Sequence, residues 1–144
     1  MEKVSVNVLS DSIPEYKTEG SAGVDISNVD GGYVLESLER KLFSTGIKLA
    51  VPEGYEVQIR PRSGLALKQG VTVLNTPGTI DSDYRGDIGV ILVNLSAFPV
   101  LIEKGERIAQ MVLSKVEKID FIKVSSLLET DRGEGGFGST GKFA

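Results

Sequence analysis

The chain has 144 residues, 40% of them hydrophobic, a formal net charge of −4 and no cysteine, histidine or tryptophan. Its length suits one domain with a real core. The missing residue types exclude disulfides, thiolate nucleophiles, Cys/His zinc sites and imidazole bases, so a general base must be a carboxylate or, failing that, a lysine or tyrosine.

The acidic balance argues against broad electrostatic binding to nucleic acid, so an anionic ligand needs locally clustered cations or a metal. The N-terminus, Met1-Glu-Lys-Val-Ser-Val-Asn-Val8, lacks the apolar core of a signal peptide, and no apolar run approaches membrane-spanning length. The expectation is a cytoplasmic protein with no membrane partner.

Val4, Val6 and Val8 alternate with polar residues, the period of a half-buried strand. Ala22-Gly-Val-Asp25 sets an acid in what reads as a tight glycine turn. Thr45 to Val51 and Glu56 to Arg60 alternate again on either side of Pro52-Glu-Gly-Tyr55, a turn signal. Arg62-Ser-Gly-Leu-Ala66 follows Pro61. The spacing predicts a short helix over 63–68, with Ser63 as its N-cap. A serine among the exposed N–H groups of a helix start is an anion site, though an ordinary cap beside a surface arginine has the same pattern.

Val71 to Leu74 is short and β-branched, and Ile88 to Leu95 is almost continuously apolar. Between them, Thr79-Ile-Asp-Ser-Asp-Tyr-Arg-Gly-Asp87 sets three carboxylates beside a tyrosine; in isolation it reads as a turn leading into a hairpin. Val100 to Ile102 and Ile108 to Val116 are further strand candidates. Gln110 sits among apolar neighbours and reads as an outward-facing polar residue. Gly and Pro punctuate the chain at the rhythm of a sandwich or barrel.

Residues 125–134 are polar and charged, a linker into Arg132-Gly-Glu-Gly-Gly-Phe-Gly-Ser-Thr-Gly141. Gly133 to Gly138 satisfies G-x-G-x-x-G and Gly136 to Lys142 satisfies G-x-x-x-x-G-K. Both matches are accidental, because those motifs must open a helix and only Phe143 and Ala144 remain. Glycines let backbone N–H groups converge on an anion, while Arg132, Ser139 and Thr140 add donors suited to phosphate. Phe137 offers a face on which a base can stack. A plain glycine tail is the alternative.

In combination these segments resemble the trimeric dUTPase family (deoxyuridine triphosphate nucleotidohydrolases). The segments that carry the likeness, in order, are Ala22-Gly-Val-Asp-Ile26, Pro61-Arg-Ser-Gly-Leu-Ala66, Gly78-Thr-Ile-Asp-Ser-Asp-Tyr-Arg-Gly86, Gly105-Glu-Arg-Ile-Ala-Gln110 and 132–141. The resemblance implies an all-β fold, a distorted jelly-roll or β-barrel with one short helix and a flexible glycine-rich C-terminal arm. It divides the chain into a core (1–124), a linker (125–131) and an arm (132–144) that closes over the active site.

The implied reaction is hydrolysis of dUTP to dUMP and pyrophosphate by in-line attack of water on the α-phosphorus, which limits uracil in DNA and supplies dUMP for dTMP synthesis. Asp81 would orient and deprotonate the water. Mg²⁺ would be chelated by the phosphates, with Asp25 holding its water shell, an outer-sphere role suited to a cation that dehydrates reluctantly. Arg62, Ser63 and Gly64 would bind the phosphates, and Gln110 would reach the triphosphate from a neighbouring chain. Asn75 and the backbone from Thr79 and Ile80 to Gly89 would hold uracil in a hairpin. Tyr84 would lie under the deoxyribose and reject a 2′-hydroxyl. Phe137 would stack on uracil while Arg132, Gly138, Ser139 and Thr140 grip the γ-phosphate, from an arm lent by a third chain of a homotrimer.

The departures from the family pattern are Val24, Gln69 and Gly89. Gly89 stands where many relatives carry a longer side chain near the base. The rival readings on the same fold are a dCTP deaminase, whose chemistry needs a glutamate absent from Ile88 to Asn94, and a dUTP-binding sensor acting through a partner.

Overall fold

The alternation over 56–60 becomes the middle of the largest sheet. In the computed structural model, which describes residues 1–144, strand β6 spans Tyr55–Arg60 and buries Val57 and Ile59 while Arg60 faces outward. Its neighbours are β11 (Arg107–Lys115) on one side and β8 (Gly78–Ile80) on the other, and β2 (Val24–Ser27) pairs with the far edge of β11. The order β2-β11-β6-β8 is antiparallel throughout. Antiparallel sheets with one face on the core give this in–out alternation, and Val24 and Ile26 of β2 obey it as well.

A second sheet, order β4-β9-β7, joins Arg40–Ser44, Gly89–Asn94 and Val71–Val73. The apolar run beginning at Ile88 supplies β9, whose central position explains its near-continuous burial. Two small pairs complete the architecture: β1 (Asn7–Leu9) with β5 (Lys48–Ala50), and β3 (Tyr33–Leu35) with β10 (Val100–Ile102). Leu35, Phe43, Ile88, Leu92, Ile102 and Ile108 are fully enclosed between these layers. Each such side chain contributes roughly 1.5–3 kcal/mol by leaving water. Asn94 is equally buried; its amide donates to the carbonyls of Leu35 (2.9 Å) and Phe98 (2.7 Å), which ties β9 to β3 and to the turn that follows β9. The fold is an open all-β jelly roll with one helix.

The structure differs from the sequence expectations at several elements. Strand β1 is shorter than the alternation from Val4 suggests. Asp25 lies inside β2, not in a glycine turn. The segment has only four residues, and Gly23 before it gives it the look of a turn. Strands β3, β4 and β8 carry too few buried residues each to show a period. Residues 79–89 do not form a ladder-paired hairpin, because β8 and β9 belong to different sheets and the loop between them crosses from one to the other. Helix α1 spans Ser63–Gln69, but Arg62 occupies the N-cap position with φ −99° and ψ 132°, and no side chain caps the first turn. Ser63 is therefore the first helical residue, not the cap. Regular structure ends at Lys115.

Candidate active site

The polar residues singled out in the sequence collect at opposite ends of the largest sheet. The first end gathers around Asp25. Cross-strand register places Asp25 opposite Gln110, and Gln110 opposite Arg60. The chain leaves β6 there through Pro61 and turns into α1. Arg62 donates from Nε to Asp25 Oδ1 at 3.2 Å and from Nη1 to the Arg107 carbonyl at 3.1 Å. Arg107 donates from Nη1 to Asp25 Oδ2 at 3.1 Å. The register of β11 against β2 slips between Arg107 and Ala109. Such a bulge re-aims the side chain beside it, here the Arg107 guanidinium that reaches Asp25.

Gln110 does not simply face outward. Its Nε2 donates to the Pro61 carbonyl at 3.0 Å, which fixes the approach to α1. Its Oε1 lies against Gly23, where an added Cβ would push the amide aside. Ser63 and Gly64 sit exposed on the first turn of α1, which carries no acidic residue. Backbone N–H groups of a first helical turn lack helical partners and favour anions. Two guanidiniums against one carboxylate leave this end net positive, in a chain that is negative overall.

Asp25 also fits a metal-linked role of a particular kind. Each of its oxygens already accepts from a guanidinium, and its side chain keeps 20% exposure. Such a carboxylate retains lone pairs for the hydrogens of metal-bound water. It is poorly disposed to strip that water away, which suits a cation that keeps its water shell, such as Mg²⁺.

The second end is a cavity of 530 Å³ lined by residues that include Thr79, Ile80, Asp81, Tyr84 and Gly89. Five of the sequence-predicted residues therefore meet at one wall. Asp81 is exposed and, with Thr79, also borders a wider groove of 1010 Å³. Asn75 is exposed but does not line the smaller cavity; its amide stands beside Gly78 at the start of β8. Gly89 opens the cavity wall beneath Leu42, whose Cδ1 would lie 2.6 Å from a Cβ added there.

The register separates the two ends. Ile80 stands opposite Val57, and β8 runs away from Arg62 as it approaches Asp81. Arg62 lies five positions along from Val57, so at about 3.3 Å a residue the ends of one chain are roughly 16 Å apart. One phosphorus atom cannot touch Asp81 and Ser63 of the same chain at hydrogen-bonding distance.

The tail residues Arg132, Phe137, Gly138, Ser139 and Thr140 join neither end within one chain; all are exposed. The tail coils through tight turns, with Ser139 N–H on the Gly136 carbonyl at 3.2 Å and Gly141 N–H on the Gly138 carbonyl at 3.0 Å. Phe137 has φ 51°, an unusual value for a residue with a side chain, and its ring packs on nothing. Arg132 donates from Nε to the Gly135 carbonyl at 2.9 Å.

Sequence reasoning gave no role to Arg107, Ser44 or Asp30, and met Asp87 only as one of the three carboxylates of 79–87. Arg107 had a signal, since it lies within Gly105–Gln110. Ser44 and Asp30 had none, because nothing local distinguishes a serine that meets two carboxylates from any other. No helix is long and apolar enough to cross a membrane.

Known proteins resemble this chain over its whole length. The dUTPase family profile matches residues 10–141. A deoxyuridine 5'-triphosphate nucleotidohydrolase of Fusobacterium nucleatum is 57% identical over 99% of this chain and 100% of its own. One from Hydrogenobaculum is 60% identical over 90% of each. A mutant of the Staphylococcus bacteriophage 80alpha dUTPase, solved with dUpNHpp, superposes with a TM-score of 0.84 at 27% identity, covering 97% of this chain and 100% of that one.

Proposed function

Because the chain belongs to the dUTPase family, we propose that it hydrolyses dUTP to dUMP and pyrophosphate, with Asp81 as the base and with each active site assembled from more than one chain. The observation that carries this reading is the placing of Asp81 at the rim of a nucleoside-sized cavity, far along the sheet from the cationic end at Arg62.

The cavity at Thr79, Ile80 and Gly89 takes the nucleoside. Backbone N–H and C=O groups along this wall read the uracil edge, and Asn75 contributes from the start of β8. A cytosine leaves those groups mispaired, and each unsatisfied buried group costs roughly 1–3 kcal/mol. Tyr84 covers the sugar and crowds a 2′-hydroxyl. Asp81 then faces the α-phosphorus. It orients a water in line with the scissile bond and takes its proton at a carboxylate oxygen. With no histidine available, the base is a weak one, so much of the rate comes from positioning and charge stabilisation.

Charge stabilisation is the task of the other end, supplied by a neighbouring chain. Arg62, the Ser63 hydroxyl and the Gly64 N–H bind the phosphates, with Ser63 at the α–β bridge where negative charge grows on the leaving pyrophosphate. Gln110 reaches the triphosphate from the same end. Asp25 would hold a Mg²⁺ ion through the ion's water shell, and the ion would supply charge neutralisation to the phosphates. The separation of the two ends within one chain supports a homotrimer with shared sites.

The terminal arm, 132–144, completes each site from a further chain. Phe137 stacks on uracil, while Arg132, Gly138, Ser139 and Thr140 hold the γ-phosphate. Ordering so many glycines costs entropy, and only a triphosphate offers enough contacts to offset it; the product dUMP does not. The reading places the enzyme in the cytoplasm with the nucleotides it acts on.

The deciding experiment is pyrophosphate release by the purified protein across dUTP, UTP, dCTP and dTTP, with and without Mg²⁺. Release from dUTP far above the other three is expected. Equal rates across the panel, or none with dUTP, overturn the reading.

A further inference from the structure

Tyr84 is not free to choose its orientation. Its hydroxyl donates to the Asp87 carbonyl at 2.7 Å, folding the ring back over Gly86. A Cβ added at Gly86 would overlap the Tyr84 hydroxyl and lie 2.6 Å from its Cζ, so the glycine leaves the ring room to lie in this position. Tyr84 is 44% exposed and packs into no core. What holds it must therefore act through residue 87.

The Asp87 side chain is anchored by one contact across the cavity. Ser44, the last residue of β4, donates from Oγ to Asp87 Oδ2 at 2.7 Å. The backbone N–H of the same serine donates to Asp30 Oδ2 at 3.0 Å. Asp30 in turn donates its N–H to the Asn28 amide oxygen at 2.9 Å, and Asn28 is wholly buried, with its Nδ2 on the Glu103 carbonyl. A continuous set of hydrogen bonds thus runs from the core to the exposed tyrosine. Ser44, Asp30, Asp87 and Tyr84 all line the 530 Å³ cavity.

The arrangement has an electrostatic consequence. Ser44 stands between two carboxylates and donates to both. Without its hydroxyl, Asp87 loses its side-chain donor and still faces the charge of Asp30. The simplest relief is movement of residue 87 away from Asp30, which carries the carbonyl under the Tyr84 hydroxyl with it. The shift is bounded, because the next residue, Ile88, is pinned by its own bonds: its carbonyl accepts from Thr45 N–H and Oγ1, and its N–H donates to the Ile47 carbonyl.

We propose that Ser44 is a positioning residue for sugar selection: through Asp87 it sets the height and tilt of the Tyr84 ring, and so how firmly a 2′-hydroxyl is excluded. The proposal rests on the reading above that Tyr84 covers the sugar.

The test compares kcat/KM for dUTP and UTP in the wild-type protein and in Ser44→Ala, Ser44→Thr, Tyr84→Phe and Tyr84→Ala. Ser44→Ala is expected to raise the UTP:dUTP ratio by about 3- to 10-fold, mainly through a lower KM for UTP, since a modest positional shift is worth about one hydrogen bond. Ser44→Thr keeps the hydroxyl and should keep the wild-type ratio, which a merely structural role for the small side chain does not predict. Tyr84→Phe removes the hydroxyl that meets Asp87 and should move the ratio in the same direction. The double variant Ser44→Ala/Tyr84→Phe should then move it no further than either alone.

If Ser44→Ala fails to fold, the Tyr84→Phe ratio still decides: a wild-type value there, beside an altered ratio in Tyr84→Ala, overturns the proposal. A folded Ser44→Ala with an unaltered ratio, beside an altered one in Tyr84→Ala, overturns the role of Ser44 and leaves the sugar-covering role of Tyr84 standing. An unaltered ratio in Tyr84→Ala removes that role itself, and the proposal with it.

Discussion

Arg107 and Arg62 each take a different oxygen of Asp25: the Arg107 Nη1–Oδ2 distance is 3.1 Å and the Arg62 Nε–Oδ1 distance is 3.2 Å. A single carboxylate thus holds two guanidiniums in fixed directions from strands and loops far apart in the chain. The pairs are partly exposed, so they add little to stability, about 0–1 kcal/mol each. Their effect is to aim charge. The Arg62 fork is held beside the first turn of α1, where Ser63 and Gly64 present their donors.

Arg107→Ala should therefore separate activity from stability. It is expected to lower kcat/KM for dUTP by about tenfold or more, because Asp25 loses one of the two guanidiniums that fix it and aims Arg62 less firmly. The melting temperature should fall by no more than about 4 °C, the shift expected for loss of one exposed pair. Steady-state kinetics and calorimetry on the same preparation check both halves. A large drop in melting temperature with intact kinetics would show a structural role instead.

Asp81→Asn should lose turnover by about a thousandfold while still binding a non-hydrolysable dUTP analogue, since only the proton acceptor is removed. The same variant tests the shared site. Arg62→Ala should be impaired at the opposite end of the sheet. If each site takes its base and its phosphate residues from different chains, co-refolding the two variants in equal amounts restores about a quarter of the wild-type rate, the share of sites that receive both intact halves. Mixed material no faster than the sum of its parts would mean that each chain works alone.

Truncation after Asp131 should abolish most turnover and leave the melting temperature nearly unchanged. The removed residues contribute nothing to the core: none from 132 to 144 is buried. Their effect should appear in kcat and in discrimination between dUTP and dUMP, measured by product inhibition. A truncated protein with unchanged kinetics would remove the arm from the site.

A fourth expectation concerns pH. Tyr33 donates its hydroxyl to Glu39 Oε2, and this bond, helped by the Glu36 N–H on Oε1, holds the Glu39 carboxyl below its ordinary range. The same bond, with desolvation and the nearby carboxylates, raises the Tyr33 phenol above its ordinary value. Glu39 therefore contributes stability that is present above its unfolded pKa and lost as pH falls through its lowered folded value. Tyr33 contributes stability that is present below its unfolded pKa and lost as pH rises through its raised one. Tyr33→Phe should flatten both limbs of a melting-temperature profile between about pH 3 and pH 11. Limbs of unchanged slope would show that the pair is not linked to folding.

The chemistry-bearing segments were legible as short strings because the demands on them are local. Asp81-Ser-Asp-Tyr84 and Arg62-Ser-Gly64 place particular donors and acids within a few residues, and the helix at 63–69 and the apolar run of β9 announce themselves by spacing. Asp25 was misread as a turn residue because one glycine dominates its short strand. The cap of α1 was misplaced by one residue, since Ser63 fits a cap by type while the backbone of Arg62 adopts the cap conformation. Ser44 carried no message until strands brought it to Asp87, and Arg107, though inside the Gly105–Gln110 segment, showed its role only where it meets Asp25.

By composition alone, the sequence determined that any base here is a carboxylate or, failing that, a lysine or tyrosine, and by pattern that the chain is all-β with one short helix and a glycine-rich end. Only the tertiary structure decided that β11 lies between β2 and β6, that Asp25 meets Arg62 and Arg107, and that Asp81 stands at the far end of the sheet from them. The physical reason is range. Backbone preference and burial period act over a few residues and are written into neighbouring side chains, whereas strand pairing and register are settled by packing between segments as distant as residues 25 and 107.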